Sequence, residues 1–318
     1  MTYRKTRFVC VSDTHGYTPM QAGFRLPPGD VLIHAGDLTK QGSKSELQRT
    51  MQWIQDADYE VKIVVAGNHD VTLDAPFYVE HGSRFHNQKL ENPEECMELV
   101  KGGSSVIFLD HASTLVKLTR PGGPRTMFKV FGSPYSRFQG LWAFGYDSAE
   151  EAQRLWDQIP LDVDVVVTHT PALSHCDRRE ARSLGCDGLR QALNRVRPML
   201  AVCGHVHEGR GYERVRWDDD DGASRWVPDA LPPIGSKKQS LVDLTGRKQK
   251  RLDNISYTGA GNLPLSEAFQ GARKETCIVN AAIMATSWPH KGGKRFHTPV
   301  VVDLDLPVWD DDDINGRD

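Results

Sequence analysis

The sequence has few of the features that mark membrane, secreted or nucleic-acid-binding proteins. None of its apolar runs approaches the roughly 20 residues needed to span a bilayer, and its apolar N-terminal stretch is too short for a signal peptide. Its six cysteines form no Cys-x-x-Cys pair, which argues against a secreted protein held by disulfides. A net charge of −3 gives no general affinity for nucleic acid or for an anionic membrane. We therefore expect a reduced, intracellular protein, located in the cytoplasm or the nucleus.

Strand and helix patterns alternate over the first two thirds of the chain. Short, continuous apolar runs, typical of strands buried on both faces, occur at 7–12, 30–35, 61–66, 163–169 and 199–205. Helical spacing of apolar residues occurs at 43–57, 148–160 and 187–198. Further strand-like runs lie at 105–109, 114–118 and 127–132, with no long helices between them. The 318 residues, 39% of them apolar and 25% charged, therefore predict a soluble α/β protein with two sheet regions.

One segment, residues 217–275, departs from this alternation. It contains an acidic run at 218–221 and a basic cluster at 247–251, with little apolar periodicity. We expect a long, irregular surface insertion there, within a single domain spanning residues 1–318 that ends in an acidic tail at 307–318. The basic cluster is also found in nuclear signals and anion-binding patches, although a solvated loop is the commoner interpretation.

Polar side chains follow each of the five buried strands at the point where the strand ends. They are Asp13 and His15, then Asp37, then Asn68 and His69, then His169, and finally His205 and His207. In open α/β sheets, sites form outside the carboxyl ends of the strands. A single histidine after a strand is more often an ordinary core or surface residue, and a single aspartate is more often a turn or cap. These ordinary roles do not explain why such polar residues follow all five strands. We therefore expect the side chains to lie close together at one site.

The chemistry of this set points to metal ions. Seven candidate ligands with oxygen and nitrogen donors and no sulfur suit manganese, iron, zinc or nickel, and they exceed the needs of one tetrahedral zinc. Two ions about 3.5–4 Å apart need a carboxylate to bridge them. Asp37 is the natural bridge because it stands alone in a turn that a glycine precedes.

The complete motif set resembles the calcineurin-like metallophosphoesterase superfamily. Its blocks are present as Asp13-x-His15, Gly36-Asp37, Gly67-Asn68-His69-Asp70, His169 and Gly204-His205-Val206-His207. The blocks "THTPA" and "GHVHEGRG" are similar to those of the metallophosphoesterase-domain-containing group within it. The resemblance implies a four-layer α-β-β-α sandwich, formed by two mixed sheets flanked by helices, with two divalent metal ions, manganese favoured, at one site.

The resemblance also implies a role for each residue of the motifs. One ion would be held by Asp13, His15 and His207, the other by Asn68, His169 and His205, and Asp37 would bridge them. His69 would not be a ligand but would face the leaving group as a catalytic acid, with Asp70 placed to orient it. Members of the family usually have glutamate in place of Asp70. Because this chain keeps His205, which weak members lose, we expect an active enzyme.

The substrate is indicated less directly. The aromatic loop at 131–146 contains Trp142, which would either stack on a nucleobase or fill the space between layers. Arg137, Arg178 and Arg210 are candidate phosphate-binding residues, although each alone is more often a surface arginine. The resembling group is associated with hydrolysis of cyclic nucleotides. We therefore expect a metal-dependent phosphodiesterase acting on a small phosphoester, such as a cyclic nucleotide.

Two other functions remain open from the sequence. A protein serine/threonine phosphatase uses the same metal core but needs an open groove in place of an aromatic-walled pocket. A nucleotide-binding or scaffold protein with weak catalysis would keep the fold without the chemistry, and the complete ligand set argues against it. The sequence does not identify a protein partner.

Overall fold

The computed structural model describes residues 2–138, 140–217, 223–227, 229–258 and 271–309. The helices are α1 (Pro19–Ala22), α2 (Lys44–Asp56), α3 (Ala75–His81), α4 (Pro93–Lys101), α5 (Ala149–Trp156) and α6 (Asp187–Val196). The first strands are β1 (Tyr3–Val11), β2 (Val31–Ala35), β3 (Val61–Val65), β4 (Val106–Phe108), β5 (Ala112–Lys117), β6 (Met127–Ser133), β7 (Ser136–Arg137) and β8 (Gly145–Tyr146). They are followed by β9 (Val165–Thr168), β10 (Arg178–Arg179), β11 (Arg182–Ser183), β12 (Leu200–Cys203), β13 (Gly211–Trp217), β14 (Ala223–Trp226), β15 (Ser240–Asp243), β16 (Glu275–Asn280) and β17 (Val300–Pro307).

Two large mixed sheets form the centre of the fold. The first has the strand order β15-β17-β1-β2-β3-β4, and β1 to β4 run parallel to one another. The second has the order β14-β13-β16-β12-β9-β6-β5, with parallel pairing from β6 through β9 and β12 to β16. The antiparallel strands β13, β14 and β5 lie toward the margins of the second sheet. Parallel strands direct their carboxyl ends to one edge of each sheet, and that edge is where the polar residues of the motifs follow the strands.

The apolar core between the sheets explains why they stack. Alternate residues of a strand point to opposite faces, so Phe8 and Cys10 face the second sheet while Val9 and Val11 face outward. The Phe8 ring meets the edge of Phe128 with the ring centroids 5.2 Å apart. Because both faces of the central strands are buried, their sequences read as continuous apolar runs.

Helices cover the outer face of each sheet and complete four layers. On the first sheet, α2 begins with a capping box in which Ser43 and Glu46 each accept a backbone N–H, and it buries Leu47 and Ile54. Each such side chain contributes about 1.5–3 kcal/mol by leaving water. On the second sheet, α5 and α6 pack together through residues that include Trp156. The predicted α-β-β-α sandwich is confirmed.

The segment at 217–275 differs from the predicted irregular insertion. Its described residues form β14 and β15, which pair with β13 and β17, and they place Val242 and Leu252 in the core between the sheets. Arg214 and Glu275 form an ion pair of 2.6 Å that is fully buried. The prediction was wrong for these residues because β14 and β15 have only four residues each, too few for clear periodicity, and β15 pairs with a strand 60 positions away in the chain. Residues 218–222, 228 and 259–270 lie outside the described residues.

The first three residues of the predicted acidic tail at 307–318 belong to the packed fold. Trp309 is buried, and its Nε1–H donates to the carbonyl oxygen of Leu118 at 2.8 Å, so the chain is packed as far as this residue. Residues 310–318 lie outside the described residues. Within the described part of the chain, no helix has the length and apolar character needed to cross a membrane.

Candidate metal centre

The turns after the strands hold the motif residues in an uncommon backbone conformation. Asp13, His15, Asp37 and His205 have φ angles of 53°, 44°, 54° and 66°. The left-handed region is costly for residues other than glycine, and such residues cluster at functional sites. Here the turns direct side chains from both sheets toward one point.

One half of the cluster contains Asp13, His15 and His207. The Nε2 atoms of His15 and His207 lie 3.2 Å apart, and Nε2 of His207 is 3.3 Å from Oδ1 of Asp13. These three side chains offer donor atoms that all lie within 4.8 Å of one another.

The other half contains Asn68, His169 and His205. Oδ1 of Asn68 lies 3.0 Å from Nε2 of His169 and 2.9 Å from Nδ1 of His205. The two ring nitrogens are 3.2 Å apart. Asn68 therefore presents its oxygen at the same point as the two imidazoles.

Asp37 lies between the two halves. Its Oδ1 is 3.3 Å from Nε2 of His169 and its Oδ2 is 3.6 Å from Nε2 of His15. The structure thus brings together all seven residues that the sequence nominates as ligands, with the Asp37 carboxylate reaching both halves.

The arrangement fits divalent cations. Imidazole nitrogens that face each other at 3.2 Å, with carboxylate and amide oxygens at the same point, form a concentrated set of electron-pair donors. Nδ1 of His169 lies 2.9 Å from the carbonyl oxygen of Ala35, and Nδ1 of His207 lies 3.2 Å from that of Thr286. Such outer contacts keep the proton on Nδ1 and leave Nε2 free to bind a metal, as is usual for histidine ligands.

Three glycines of the motifs pack so closely against the cluster that a side chain in their place would overlap it. A Cβ on Gly36 would lie 2.4 Å from Nδ1 of His169, one on Gly67 would lie 2.3 Å from Oδ1 of Asp37, and one on Gly204 would lie 2.2 Å from Oδ2 of Asp13. No side chain is tolerated at such distances without displacing the donor atoms. The glycines of the motifs are therefore explained by close packing against the cluster.

The electrostatic environment keeps Asp13 ionised and gives the histidines of the cluster different pKa values, so that some are neutral and His169 is protonated at neutral pH. Burial raises the pKa of Asp13, but the hydrogen bond with His207 and the charges of His207 and His169 together outweigh this and bring the value to about 2. Burial lowers the pKa of His15 to about 3 and that of His205 to about 4, so both are neutral. Burial also acts to lower the pKa of His169, but the charge and hydrogen bond of Asp37, together with the charge of Asp13, outweigh it and raise the pKa to about 9. The carboxylates thus stabilise positive charge at the centre of the cluster.

His69 lies beside the cluster, partly exposed to the adjoining cavity. Its Nδ1 is 2.7 Å from the carbonyl oxygen of Lys40, which places a proton on Nδ1 and leaves Nε2 as the atom that can exchange a proton. Its ring stacks on Trp142 with centroids 3.9 Å apart and meets His15 at 4.7 Å. His69 is also within 4.8 Å of donor atoms of His15 and Asp37, so its role as an acid has to be separated from a role as a ligand by experiment.

Asp70 does not orient His69, contrary to the prediction. The carboxylate is fully buried and accepts the N–H groups of Gly67, Leu38 and Thr39 at 2.8, 3.1 and 2.9 Å. Burial and the charge of Asp37 raise the pKa of Asp70 to about 7. The prediction was wrong because the turn directs the two neighbouring side chains to opposite sides, so that Asp70 instead joins the turn after β2 to the turn after β3.

A cavity of ≈ 920 Å³ opens from the cluster, and two of the predicted substrate contacts line it. These are Arg137 and Trp142. The other two, Arg178 and Arg210, line a different cavity of ≈ 680 Å³. The prediction was wrong for Arg178 and Arg210. Both follow a ligand residue in the sequence, but this does not determine which side of the loop their side chains occupy.

Sequence reasoning missed a group of residues at the far wall of the first cavity. Tyr17 lies there with Lys294, whose Nζ donates to the Tyr17 hydroxyl at 2.6 Å, and with Lys40, whose Nζ is 4.9 Å from the Tyr17 ring centroid. The hydrogen bond from Lys294 lowers the pKa of Tyr17. Trp288, which is 82% exposed, also lines this cavity. Tyr17 directly follows the first motif and could have been nominated, whereas the segment that carries Trp288 and Lys294 contains no ligand pattern.

Comparison with known proteins agrees with this geometry. A family model described as calcineurin-like phosphoesterase matches residues 6–209. The chain is 36% identical over 217 residues to metallophosphoesterase domain-containing protein 1 of Homo sapiens, covering 65% of this chain and 62% of that protein. It is 31% identical over 217 residues to a UPF0046 protein of Caenorhabditis elegans, covering 65% of this chain and 70% of that protein.

A longer protein shares the same region. The chain is 40% identical over 230 residues to a protein of Emericella nidulans named "Probable rhamnogalacturonate lyase C", and the match covers 69% of this chain but 20% of that protein. The chain therefore spans a fifth of this relative and 62% of the human one.

Proposed function

Since the chain belongs to the calcineurin-like phosphoesterase family, we propose that it is a hydrolase that uses two divalent metal ions to cleave a small phosphodiester, such as a cyclic nucleotide. The observation that supports a two-ion site is the Asp37 carboxylate, whose oxygens reach His169 on one side and His15 on the other. A single site of four ligands would leave three of the seven donors without a function.

The chain's own residues would divide the ions between them. Asp13, His15 and His207 would hold one ion, and Asn68, His169 and His205 would hold the second. The nitrogen and oxygen donors suit manganese, which we favour, as well as iron, zinc or nickel. When bound, such ions neutralise the charge of the phosphoryl oxygens and make water acidic enough to attack at neutral pH.

His69 would supply the proton that the departing oxygen needs. Its contact with the Lys40 carbonyl at 2.7 Å and its stacking on Trp142 at 3.9 Å hold the ring at the edge of the cavity. A histidine is suited to this task because it gains and loses a proton near neutral pH. General acid catalysis of this kind is typically worth about 10²–10⁴-fold in rate.

The cavity favours a small ester over a protein substrate. Its volume of ≈ 920 Å³ falls in the range of small-molecule sites. Trp142 and Tyr17 give it aromatic surface on which a base could stack, while Arg137, Lys40 and Lys294 supply positive charge for the phosphate.

The proposal is tested by measuring metal content and turnover on the same sample. We expect two ions per chain, and hydrolysis of bis(p-nitrophenyl) phosphate that a chelator abolishes and Mn²⁺ restores. One tightly held ion with full activity would contradict the two-ion site. Faster turnover of a phosphoserine peptide would favour a protein phosphatase, and two bound ions without turnover of either compound would favour a binding protein.

Binding of Mn²⁺ should depend on pH. Because the pKa of His169 is raised to about 9 in the metal-free protein, an ion has to displace the proton on this imidazole at neutral pH. The apparent affinity should therefore rise with pH between 6 and 8, by up to about tenfold per unit for one displaced proton. Calorimetry of Mn²⁺ binding in two buffers of different ionisation enthalpy gives both the affinity and the protons released. An affinity independent of pH over this interval, with no proton release, would contradict the expected protonation of His169.

A further inference from the structure

A second cavity lies on the other side of the turn that carries His207. Its volume is ≈ 680 Å³, and Glu208 lines both cavities. His207–Gly209 forms a single 3-10 turn, so Arg210 directly follows the turn whose first residue faces the metal cluster. The lining includes Arg178, Arg210, Tyr212, Arg225, Trp226 and His297.

Arg210 is held in place but its charge is not balanced by the described residues. Its Nη2 donates to Oγ of Ser240 at 3.1 Å and to the carbonyl oxygen of Thr298 at 2.8 Å. Among the described residues, no carboxylate lies within ion-pair distance of it, and its Nε is inaccessible to solvent without a hydrogen-bond partner. Burial alone lowers its pKa, to about 10. A partly buried charge of this kind is stabilised when an opposite charge is brought to it.

Two of the three acidic side chains that line the cavity, Glu213 and Glu208, already have cationic partners. Glu213 lies 3.1 Å from His175 and 3.7 Å from Arg225, and Glu208 lies 3.7 Å from Arg179. The third, Asp177, is held by the turn: its Oδ2 accepts the backbone N–H groups of Ser174 and Gly185, at 2.9 Å each, whereas its Oδ1 is buried without a hydrogen-bond partner among the described residues. Arg210 is therefore a partly buried cation with which no described carboxylate forms an ion pair.

The rest of the wall is aromatic and apolar. The Trp226 indole lies against the guanidinium of Arg214, 5.0 Å from ring centroid to Cζ. Leu231, Pro232 and Pro233 line the same cavity. Pockets that combine an apolar wall with one or two fixed charged groups are the usual form of small-molecule sites, in which the charged group orients the ligand.

We propose that this second cavity binds a small organic anion, a carboxylate or phosphoryl compound with a flat apolar body, whose charged group contacts the guanidinium of Arg210. The planar guanidinium, fixed by Ser240 and Thr298, matches the geometry of carboxylate and phosphoryl oxygens. Arg178 adds a second positive charge at the wall. The site is separate from the metal cluster and does not depend on metal binding.

The test uses the full-length protein and the fluorescent anion 8-anilinonaphthalene-1-sulfonate, which has an aromatic body and no bond that a phosphoesterase could cleave. We expect saturable binding that Arg210→Met weakens by about tenfold or more, because a charge-assisted contact is lost. Arg137→Met is the matched control, since Arg137 lines the metal-facing cavity instead. It should leave this binding unchanged. Wild-type affinity in Arg210→Met, or an equal loss in Arg137→Met, would overturn the proposal.

Two further measurements keep the test decisive. If Arg210→Met does not fold, as judged by circular dichroism, Arg178→Met replaces it, because Arg178 is exposed and lies on the same wall. Unchanged affinity in that variant would then count against the site. Competition with benzoate and with phenylphosphonate distinguishes a carboxylate from a phosphoryl ligand. If neither compound displaces the probe from the site that depends on Arg210, a carboxylate or phosphoryl ligand is excluded and the proposal is overturned.

Discussion

Replacing Asp37 with asparagine is expected to weaken both metal ions together and to abolish most of the hydrolytic activity. Asparagine has nearly the same shape as aspartate and tolerates the left-handed backbone at φ 54°. It also keeps an oxygen in the position of Oδ1 of Asp37, which accepts the backbone N–H of His69 at 3.0 Å. What it removes is the buried negative charge. Loss of one partner of a buried charged contact costs about 3–5 kcal/mol. The dissociation constants of both ions should therefore rise by about 10²-fold to several thousand-fold.

A bridging role for Asp37 is identified by comparison with a variant that weakens the binding of only one ion. His207→Ala should chiefly weaken the ion shared with Asp13 and His15, because His207 contacts these two side chains at 3.3 and 3.2 Å. Metal content at a series of free Mn²⁺ concentrations, measured beside turnover of a phosphodiester, compares the two variants. If Asp37→Asn keeps one ion at the wild-type affinity, Asp37 does not bridge. If it keeps both ions and the wild-type rate, Asp37 is not a ligand.

The convergence of the cluster was predictable because it follows from the topology. Parallel strands with βα connections bring their carboxyl ends to one edge, and the sequence shows a polar residue directly after each of five apolar runs. Local signals were equally informative for helices. The spacing of Leu47, Met51 and Ile54, behind Ser43 or Ser45 as a cap, predicted a helix at 43–57. The structure has it at Lys44–Asp56, with Ser43 as the cap.

What the sequence could not supply was the direction of individual side chains within turns. Asp70 is adjacent to His69, yet it contacts Leu38 and Thr39 from another turn, some 30 residues away along the chain. Arg210 is three residues from His207, yet it lines the second cavity. These outcomes depend on backbone angles at single positions and on contacts distant in sequence, neither of which produces a periodic pattern.

The strands of the 217–275 segment were missed for a related reason. The strand β15 has only four residues, and its pairing with β17 joins Ser240 to Val300 across 60 positions of the chain. Its stability comes from that distant partner and from the core contact of Val242, not from local propensity. Short strands of this kind are recognised only when the sheet that receives them is known.

Replacing His69 with alanine separates its two candidate roles, since it lies within reach of the cluster and also faces the cavity. If His69 protonates the leaving group, His69→Ala should keep both ions and most of the substrate affinity. The rate should then fall by about 10²-fold or more for an ester with an alkyl or ribose leaving group, whose alkoxide needs a proton. It should fall much less for a nitrophenyl ester, whose anion departs unaided, because a substitution reduces the rate only where its interaction strengthens in the transition state.

Asp70→Asn is the control that the structure supplies for this experiment. Its carboxylate contacts backbone N–H groups of two turns and does not contact the His69 ring, so its effect should be on stability and similar for both esters. Rates and metal content are measured for wild type and both variants with each ester. Loss of a metal ion in His69→Ala would assign the residue to the ligands. Equal losses on both esters with both ions bound would reject proton donation, because only a group that stabilises the departing oxygen can make the loss depend on which oxygen departs.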